Sequence, residues 1–260
     1  MLKNHKGIFL FILIILVLVT GCQRELPSIQ TMTDLENKKI GVYTGSEYDT
    51  ILKEHIKGAT PQYYNSYSDQ IAALKSGKID GFLTDEPLAK EILREHPDLK
   101  ILEEKLTEDS YAFALNPKLT ELEKEISSEI KKMKENGTLQ KLEEKWMGND
   151  ENKKVLDTYE YETNGKKITF AAVSGNAPFA YYKNNELVGY DIEVIKIVCK
   201  ELKYELEIID MAFEGVIPAL KSGKIDMAGT SIIVTEERKK SVLFAEPDYT
   251  GGIVIVVRGS

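Results

Sequence analysis

An aspartate and an arginine stand at equivalent places in two related halves of this 260-residue chain. The octapeptide Ala-Leu-Lys-Ser-Gly-Lys-Ile-Asp occurs at residues 73–80 and again at 219–226. Asp85 follows the first copy within Thr-Asp-Glu-Pro, and Arg238 follows the second within Thr-Glu-Glu-Arg. One half therefore offers an anion and the other a cation, which together could hold the ammonium and the carboxylate of one small zwitterion.

Each octapeptide belongs to a pattern that predicts part of a βαβ unit. The amphipathic stretches 67–74 and 213–220 end in Ser-Gly, which is typical of a helix C-terminus, and a short apolar strand follows each. Ligands of open α/β sheets bind beyond the carboxyl ends of such strands, so we expect Asp85 and Arg238 to face a cleft between two lobes. Taken alone, Asp85 could instead cap the next helix, and Arg238 could be an exposed helix residue.

Five further residues could complete this site. A glycine turn leading through Ser46 into a helix would expose backbone N–H groups to a carboxylate. The loop at Thr230 and Ser231 offers amides and hydroxyls, and Phe179 and Phe213 could form apolar walls, although either could equally be a core residue. The combination predicts a site for a free amino acid, since closing two lobes around it excludes water and strengthens the charged contacts.

Composition excludes several classes of function. A formal net charge of −8 argues against a nucleic-acid partner, which needs clustered positive charge. With 42% hydrophobic residues, the chain can bury two cores in lobes of roughly 80–110 residues each. The sequence contains no metal-ligand motif, no paired nucleophile and base, and no phosphate-binding glycine loop, so we predict no catalytic residue, metal or cofactor.

The N-terminus predicts export. Residues 1–21 have the pattern of a signal peptide, with Lys3 and Lys6 before twelve apolar residues at 8–19. Such a run reaches about 18 Å as a helix, too short for a ~30 Å hydrocarbon core. The ending Val-Thr-Gly-Cys is similar to the bacterial lipobox, which implies lipidation of Cys22; the alternative is an uncleaved anchor. Both interpretations place the rest of the chain outside the cytoplasmic membrane.

The remaining chain divides by composition into five segments. The Lys-Lys-Ile pattern that begins at Lys38 restarts at Lys166, after a polar stretch. An extra hairpin is predicted around Asn184 and Asn185, and Cys199 is expected to be a buried hydrophobic residue without a disulfide partner. We predict a tether at 22–33, an α/β segment at 34–110, a strand and two helices at 111–148, a linker at 149–166 and a second α/β segment at 167–260.

Several motifs together give the chain a family resemblance. Gly-Tyr-Asp at 189–191, the stretch 213–220 and Thr-Glu-Glu-Arg at 235–238 resemble the first lobe of type II solute-binding proteins of polar amino-acid ABC importers. Asp-Glu-Pro at 85–87 and Asn-Gly-Thr-Leu at 136–139 are similar to the second lobe and closing helices of that family. The resemblance covers about 32–148 and 168–258, and it implies an α/β, two-lobed periplasmic-binding-protein type II fold.

The resemblance also implies roles for the site residues. Arg238 would bind the ligand α-carboxylate, assisted by the Ser231 amide and the helix start at Ser46. Asp85 would accept the α-ammonium. Lining the side-chain pocket would be Phe213, with Tyr48 and Glu47 near the opposite wall.

Two residues depart from the family pattern. Ile233 stands where family members usually have a Ser or Thr that contacts the ligand. Val173 stands where they often have an acid, which argues against a strongly basic ligand side chain.

The order of the segments also departs from the family, in which the first lobe precedes the second. Here the second-lobe segment comes first, so we predict a circular permutant with the 149–166 linker joining the former termini. Such a chain would keep a single hinge strand, around 109–112, and its lobes would be loosely coupled. The alternative is a fragment of a tandem receptor or of a receptor-permease fusion.

The function implied by the resemblance is that of a monomeric, lipid-anchored protein on the outer face of the cytoplasmic membrane. It would bind a free polar amino acid and deliver it to the permease of an ABC importer, without catalysis. One alternative is a sensor, regulatory or degenerate binding lipoprotein without a transport role. Another is an enzyme on the same fold, such as a dehydratase of cyclic acids, for which Glu47 and Asp85 are the candidate proton-transfer groups.

Overall fold

The structure is a computed structural model that describes residues 28–102, 105–160 and 162–259. The predicted signal peptide, Cys22 and the first part of the predicted tether lie outside the described residues. Within the described ranges, no helix has both the length and the apolar content needed to cross a membrane.

Strands and helices alternate along residues 39–101 and again along residues 186–244. A 3-10 turn, Met32–Leu35, precedes the first strand, and another, Phe213–Gly215, precedes the helix of the second octapeptide. In chain order the elements before residue 150 are β1 (Lys39–Tyr43), α1 (Tyr48–His55), β2 (Thr60–Tyr64), α2 (Tyr67–Lys75), β3 (Gly81–Asp85), α3 (Glu86–Glu95), β4 (Leu99–Ile101), β5 (Asp109–Tyr111), β6 (Ala114–Leu115), α4 (Thr120–Glu135) and α5 (Thr138–Trp146). Those after it are β7 (Lys167–Ala172), β8 (Gly175–Asn176), β9 (Ala180–Lys183), β10 (Glu186–Val188), α6 (Tyr190–Leu202), β11 (Glu205–Asp210), α7 (Val216–Ser222), β12 (Met227–Ala228), α8 (Glu236–Lys239), β13 (Leu243–Phe244), β14 (Tyr249–Gly251) and β15 (Ile253–Arg258).

Two five-stranded sheets form the centres of two lobes. The N-terminal lobe has the strand order β2-β1-β3-β15-β4, and the C-terminal lobe has β11-β7-β12-β6-β13. The βαβ units at the centre of each sheet are parallel, whereas β15 and β6 are antiparallel to their neighbours. Parallel strands bring their carboxyl ends to one edge, so the loops after β3 and β12 both reach the cleft between the lobes.

The last strand is buried on both faces of the N-terminal sheet. Ile253, Ile255 and Val257 pack in the core on one side, and Val254 and Val256 pack in the core on the other. Successive side chains of a strand point to opposite faces, so an unbroken apolar run fits a sheet covered on both sides. The segment 167–260, expected to form one lobe, therefore divides at about residue 252 between the two lobes.

Two strands, rather than one, cross between the lobes. The strand β5 carries the chain out of the N-terminal lobe, and β14 carries it back, with Tyr111, Ser110 and Asp109 paired to Tyr249, Thr250 and Gly251. The prediction of a single hinge strand is wrong, because the strand β15 requires a second crossing to reach its sheet. The predicted loose coupling of the lobes was inferred from a single hinge strand, so that argument no longer holds. The permuted order relative to the family stays a prediction.

The closing helices α4 and α5 pack on α6 of the C-terminal lobe, and the sequence 149–166 forms neither helix nor strand at its described positions. Trp146 is fully buried there, and its indole N–H donates to Glu193 over 2.6 Å. The predicted hairpin is present, since Asn184 and Asn185 turn between β9 and β10 with φ of 52° and 64°. Two consecutive residues of positive φ are typical of a type I′ turn.

The octapeptide repeat builds the same structure in both lobes. Each copy ends its helix at a glycine of positive φ, 71° at Gly77 and 75° at Gly223. The final aspartate of each copy then accepts a backbone N–H from the first strand of its lobe, Asp80 from Lys39 and Asp226 from Thr169. The repeat therefore fixes the central strand of each sheet, β3 or β12, beside the first strand of its lobe, β1 or β7. Cleft residues lie at the end of each central strand or shortly after it.

Gly189, the residue before α6, is expected to tolerate no side chain. Its φ is +134°, and a Cβ there would lie 2.2 Å from the carbonyl oxygen of Phe179. We expect Gly189→Ala to lower the free energy of unfolding by at least about 2 kcal/mol. Chemical denaturation measures the change, and Gly175→Ala, where no atom lies within 4 Å of the added Cβ, is the matched control. Equal stability of the two variants would contradict the prediction.

Candidate functional site

Eight of the nine predicted ligand-binding residues line one cavity of about 30 Å³ between the lobes. The N-terminal lobe contributes Ser46, Glu47, Tyr48 and Asp85, and the C-terminal lobe contributes Phe213, Thr230, Ser231 and Arg238. Both departures from the family pattern, Val173 and Ile233, also line it.

Phe179 is not part of this lining. Its side chain is fully buried in the core of the C-terminal lobe, between Tyr190 and the crossing-strand residues Tyr111 and Tyr249. Of the two interpretations that the sequence left open, core packing is the one seen. The aromatic rings around Phe179 lie 5.4–6.3 Å away between centroids, the spacing of ordinary aromatic packing.

Asp85 lies at the end of β3, where the backbone becomes the N-cap of α3, but its side chain does not cap that helix. The carboxylate turns into the cleft instead. It accepts hydrogen bonds from Tyr111 Oη at 2.7 Å, Tyr48 Oη at 3.1 Å and Ser231 Oγ at 3.2 Å. Tyr111 belongs to a crossing strand and Ser231 to the other lobe, so the position of this carboxylate depends on how the lobes are arranged.

Among the described residues, no cation lies within ion-pair distance of the Asp85 carboxylate. Its side chain is 2% exposed, and burial raises the pKa of Asp85 to about 6, although the three hydroxyl donors oppose that rise. A buried anion that is stabilised only by neutral donors has a strong preference for an ammonium group at its remaining lone pairs.

Arg238 lines the same cavity as Asp85, from α8 of the C-terminal lobe. The Thr235 side chain caps the N-terminus of α8 by accepting the Arg238 backbone N–H. The guanidinium is 7% exposed and lies 5.7 Å from the centroid of the Phe213 ring, a cation–π distance. It donates to the Ile233 carbonyl oxygen at 3.0 Å, so the apolar residue at 233 contributes through its backbone.

The remaining contacts of Arg238 reach the other lobe. Its Nη2 donates to the Gly45 carbonyl oxygen at 3.4 Å, and its Nε lies 3.4 Å from Glu47 Oε1. Burial lowers the pKa of Arg238, and the nearby Glu47 carboxylate opposes that change. Glu47 therefore occupies the place of an anion beside Arg238, and a ligand carboxylate would compete with it for the guanidinium.

Two backbone amides that were expected to face a ligand are already engaged. The Ser231 N–H donates to Asp191 Oδ2 at 3.1 Å, and the Ser46 N–H donates to the Tyr43 carbonyl oxygen at 3.2 Å. Ser231 has a left-handed backbone with φ of +48°, which the buried Asp191 holds in place. What Ser231 offers to the cleft is its hydroxyl, and the expectation of a free amide at either serine is corrected.

Tyr43 and Tyr67 are cavity residues that the sequence reasoning missed. Their rings lie 4.9 Å apart between centroids, and Phe213 meets Tyr43 edge-on at 6.0 Å. Tyr43 ends a parallel strand, so its place at the carboxyl edge of the sheet was a signal that could have found it. Together the three rings form an aromatic wall for the nonpolar part of a ligand.

Asn176 is the other missed residue with chemistry to offer. Its amide donates to Ser231 Oγ at 2.6 Å, whereas its Oδ1 and the Thr230 hydroxyl are buried without a hydrogen-bond partner. Both residues line the cavity. Buried polar atoms without partners cost free energy, so they are well placed to accept or donate to a bound ligand.

A second, more polar cavity of about 420 Å³ adjoins the first. Tyr43, Tyr67 and Val173 line both cavities, whereas Asn65 and Asp210 line only the second one. A ligand whose backbone lies between Asp85 and Arg238 could extend its side chain into this space. Within the described residues, no group of three or more His, Cys, Asp or Glu side chains is arranged to hold a metal ion.

Known proteins resemble this chain over parts of its length. It is 37% identical over 95 residues to an arginine-binding extracellular protein of Bacillus subtilis (strain 168) and 32% identical over 124 residues to an L-cystine-binding protein of Escherichia coli (strain K12). These matches cover 36% and 47% of this chain, and 37% and 47% of the relatives, so the chain spans less than half the length of either. A solved ligand-binding component of an ABC-type import system from Staphylococcus aureus is 17% identical, with a TM-score of 0.44, covering 85% of this chain and 65% of that one.

The family match is broader. The bacterial extracellular solute-binding proteins, family 3, match residues 23–149 and 168–260, which leaves out only the N-terminus and the linker between the two segments. With two α/β lobes, paired crossing strands and a cleft between them, the chain belongs to the bacterial extracellular solute-binding proteins, family 3, and has their two-lobed type II fold.

Proposed function

We propose that this protein is an extracytoplasmic lipoprotein that binds a free polar amino acid between its lobes and delivers it to the permease of an ABC importer. The observation that carries the proposal is the opposition of the Asp85 carboxylate and the Arg238 guanidinium across one cavity. Asp85 binds the ligand α-ammonium and Arg238 binds its α-carboxylate. The arginine- and cystine-binding relatives support amino acids as the ligand class.

The side chain of the ligand lies against the aromatic wall of Tyr43, Tyr67 and Phe213. Val173 and Ile233 add apolar contacts, so we expect a neutral polar side chain in preference to a strongly basic one. Asn176 and Thr230 supply further hydrogen bonds. Anchoring is by a lipid on Cys22 and the functional unit is a monomer.

A thermal-shift panel of the twenty amino acids tests the binding function on protein lacking residues 1–22. A ligand at 100 times its Kd stabilises a folded protein by about 2.7 kcal/mol, which corresponds to a rise in Tm of about 5–11 °C for a chain of this size. A selective rise identifies the ligand. A folded protein that responds to none of the twenty would reject amino-acid capture and favour the sensor or degenerate alternative.

Ligand affinity is expected to fall as the pH drops below about 6. Burial raises the pKa of Asp85 to about 6, so this carboxyl is protonated in the free protein under acidic conditions. Binding an ammonium requires the charged form, and the proton must then be released. We expect the Kd to rise by about tenfold for each pH unit below 6.

Isothermal titration calorimetry between pH 5 and 8 measures this dependence. Titrations in two buffers of different ionisation enthalpy give the number of protons released, which should approach one below pH 6. A Kd that stays constant between pH 5 and 7, with no proton release, would show that Asp85 does not bind the ammonium.

A further inference from the structure

We propose that residues 150–159, the strap, fasten the two lobes together by buried ion pairs and stabilise the closed arrangement of the cleft. The strap lies in the stretch between the two segments that match the family model, so the family match does not cover it. It has no regular secondary structure, and it holds its place through side-chain contacts to both lobes.

One set of contacts fixes the strap to the C-terminal lobe. Glu193 of α6 is fully buried and accepts the Asp157 backbone N–H at 3.3 Å and the Tyr159 hydroxyl at 2.8 Å. Lys183, at the end of β9, donates to the carbonyl oxygens of Glu151 at 2.8 Å and Lys154 at 3.1 Å. The strap is thus attached to this lobe at both ends. Its first residues are bound through their backbone carbonyls, and its last residues are bound to a buried carboxylate.

A second set of contacts reaches α3 of the N-terminal lobe. Lys154 Nζ lies 2.7 Å from Glu91 Oε1, and Glu151 Oε1 lies 2.7 Å from Arg94 Nη1. Glu91 and Arg94 also pair with each other along the helix. Asp85 is the N-cap residue of this helix, so the strap holds the element that directly follows the proposed ammonium-binding carboxylate.

Lys154 is the principal contact, because it is 1% exposed. Its ammonium lies between Glu91 of the other lobe and Glu151 of the strap, at 2.7 and 2.8 Å. If the lobes part while the strap stays on the C-terminal lobe, Lys154 loses Glu91. A buried charge that loses a partner is far more costly than an exposed one, whereas the half-exposed Arg94–Glu151 pair contributes less.

The strap also lies at the cleft itself. Glu91, Arg94 and Glu151 line a groove of about 740 Å³ between the lobes, and its wall continues to Tyr67 and Gly175, which line the candidate site. The strap therefore joins α3 to the C-terminal lobe on one flank of the cleft. This arrangement opposes opening through contacts that the crossing strands do not make.

The consequence for ligand exchange rests on the proposed function. A strap that favours the closed arrangement slows the opening through which an amino acid enters and leaves. Ligand association and dissociation should both become faster when the strap is released.

The inter-lobe distance in the absence of any amino acid tests the strap directly, whatever the site binds. Spin labels on Lys53→Cys in α1 and Lys240→Cys beside α8 report on opening, since Glu47 at the start of α1 faces Arg238 of α8. Both side chains are largely exposed. The protein used lacks residues 1–22 and therefore Cys22, and the remaining native cysteine, Cys199, is buried. Pulsed electron paramagnetic resonance then gives the distance distribution.

We expect Glu91→Gln and Lys154→Met each to increase the ratio of open to closed molecules by about tenfold or more. The double variant should be little more open than the stronger single one, because both remove the same pair. Lys239→Met, which breaks an exposed ion pair within α8, is the control and should change nothing.

Unchanged distances in folded Glu91→Gln protein would overturn the proposal. That variant decides the matter if Lys154→Met fails to fold, since Glu91 is on a helix surface and its replacement leaves Lys154 paired with Glu151. An open shift in protein that binds no amino acid would support the strap while rejecting the proposed function.

Discussion

Replacing Arg238 with methionine is expected to weaken amino-acid binding by about a hundredfold or more. Arg238 is the one cation among the described residues that line the cavity. Its loss leaves the α-carboxylate beside Glu47, so an attraction becomes a repulsion. Methionine retains much of the volume against Phe213, which confines the change largely to charge and hydrogen bonding. Isothermal titration calorimetry with the ligand found in the thermal-shift panel measures the effect.

The neighbouring Lys239 gives a matched control for that experiment. Its ammonium pairs with Glu236 on the exposed face of the same short helix. Lys239→Met removes one positive charge a single residue away and should leave the Kd within about twofold, since exposed pairs contribute little. If both variants bound equally well, Arg238 would be a structural residue that holds Ile233 and Gly45, and the carboxylate would bind elsewhere.

Asp85→Asn is expected to act in opposite directions on binding and on stability. Without the carboxylate, the α-ammonium loses its charged acceptor, and we expect the Kd to rise by about a hundredfold. The free protein should become more stable at pH 7, because a buried carboxylate without a cation against it is replaced by a neutral group of the same shape. Few substitutions in a core raise stability while removing function, so this combination is diagnostic.

The gain in stability should depend on pH with a definite sign. The folded pKa of Asp85, about 6, lies above its usual value of 3.8, so ionisation costs stability as the pH rises through this window. The stabilisation by Asp85→Asn is therefore absent below about pH 4, grows between pH 4 and 6, and reaches up to about 3 kcal/mol above pH 6.

Urea denaturation of both proteins from pH 4 to 8 measures the difference. The acid Asp109, which opposes ionisation of Asp85, is unchanged in both and serves as a common background. A difference in stability that is the same at every pH, or that shrinks as the pH rises, would contradict the raised pKa and the role that follows from it.

The sequence alone determined which residues can meet. The repeated octapeptide indicated two equivalent βαβ units, and a parallel sheet must bring the carboxyl ends of its strands to one edge. Asp85, Arg238 and Ser231 could thus be assigned to one cleft from the sequence alone. The hairpin at Asn184 was predictable for the same kind of reason, because local turn chemistry depends on few residues.

Other features depended on contacts between residues distant in the chain. Phe179 was ambiguous because an aromatic side chain suits a core and a pocket equally well, and only its neighbours Tyr111 and Tyr249 decide between them. Similarly, nothing in the sequence shows that the Ser231 amide is already bound to Asp191, forty residues earlier. Whether a backbone N–H already has an acceptor can be established only from three-dimensional positions.

The crossing strands and the strap also depend on contacts between residues that are distant in the chain. A strand at Ile253–Arg258 can be identified from its five consecutive apolar residues, but the pattern does not say which of the two sheets contains it. Pairing with β3 in the other lobe forces a second crossing beside the first. Likewise, the polar stretch 149–166 was predicted to be a linker, and only its position between α3 and α6 buries Lys154. Local sequence thus determined the elements and the cleft residues, whereas the tertiary structure decided how the lobes are joined, because that depends on long-range pairing and burial.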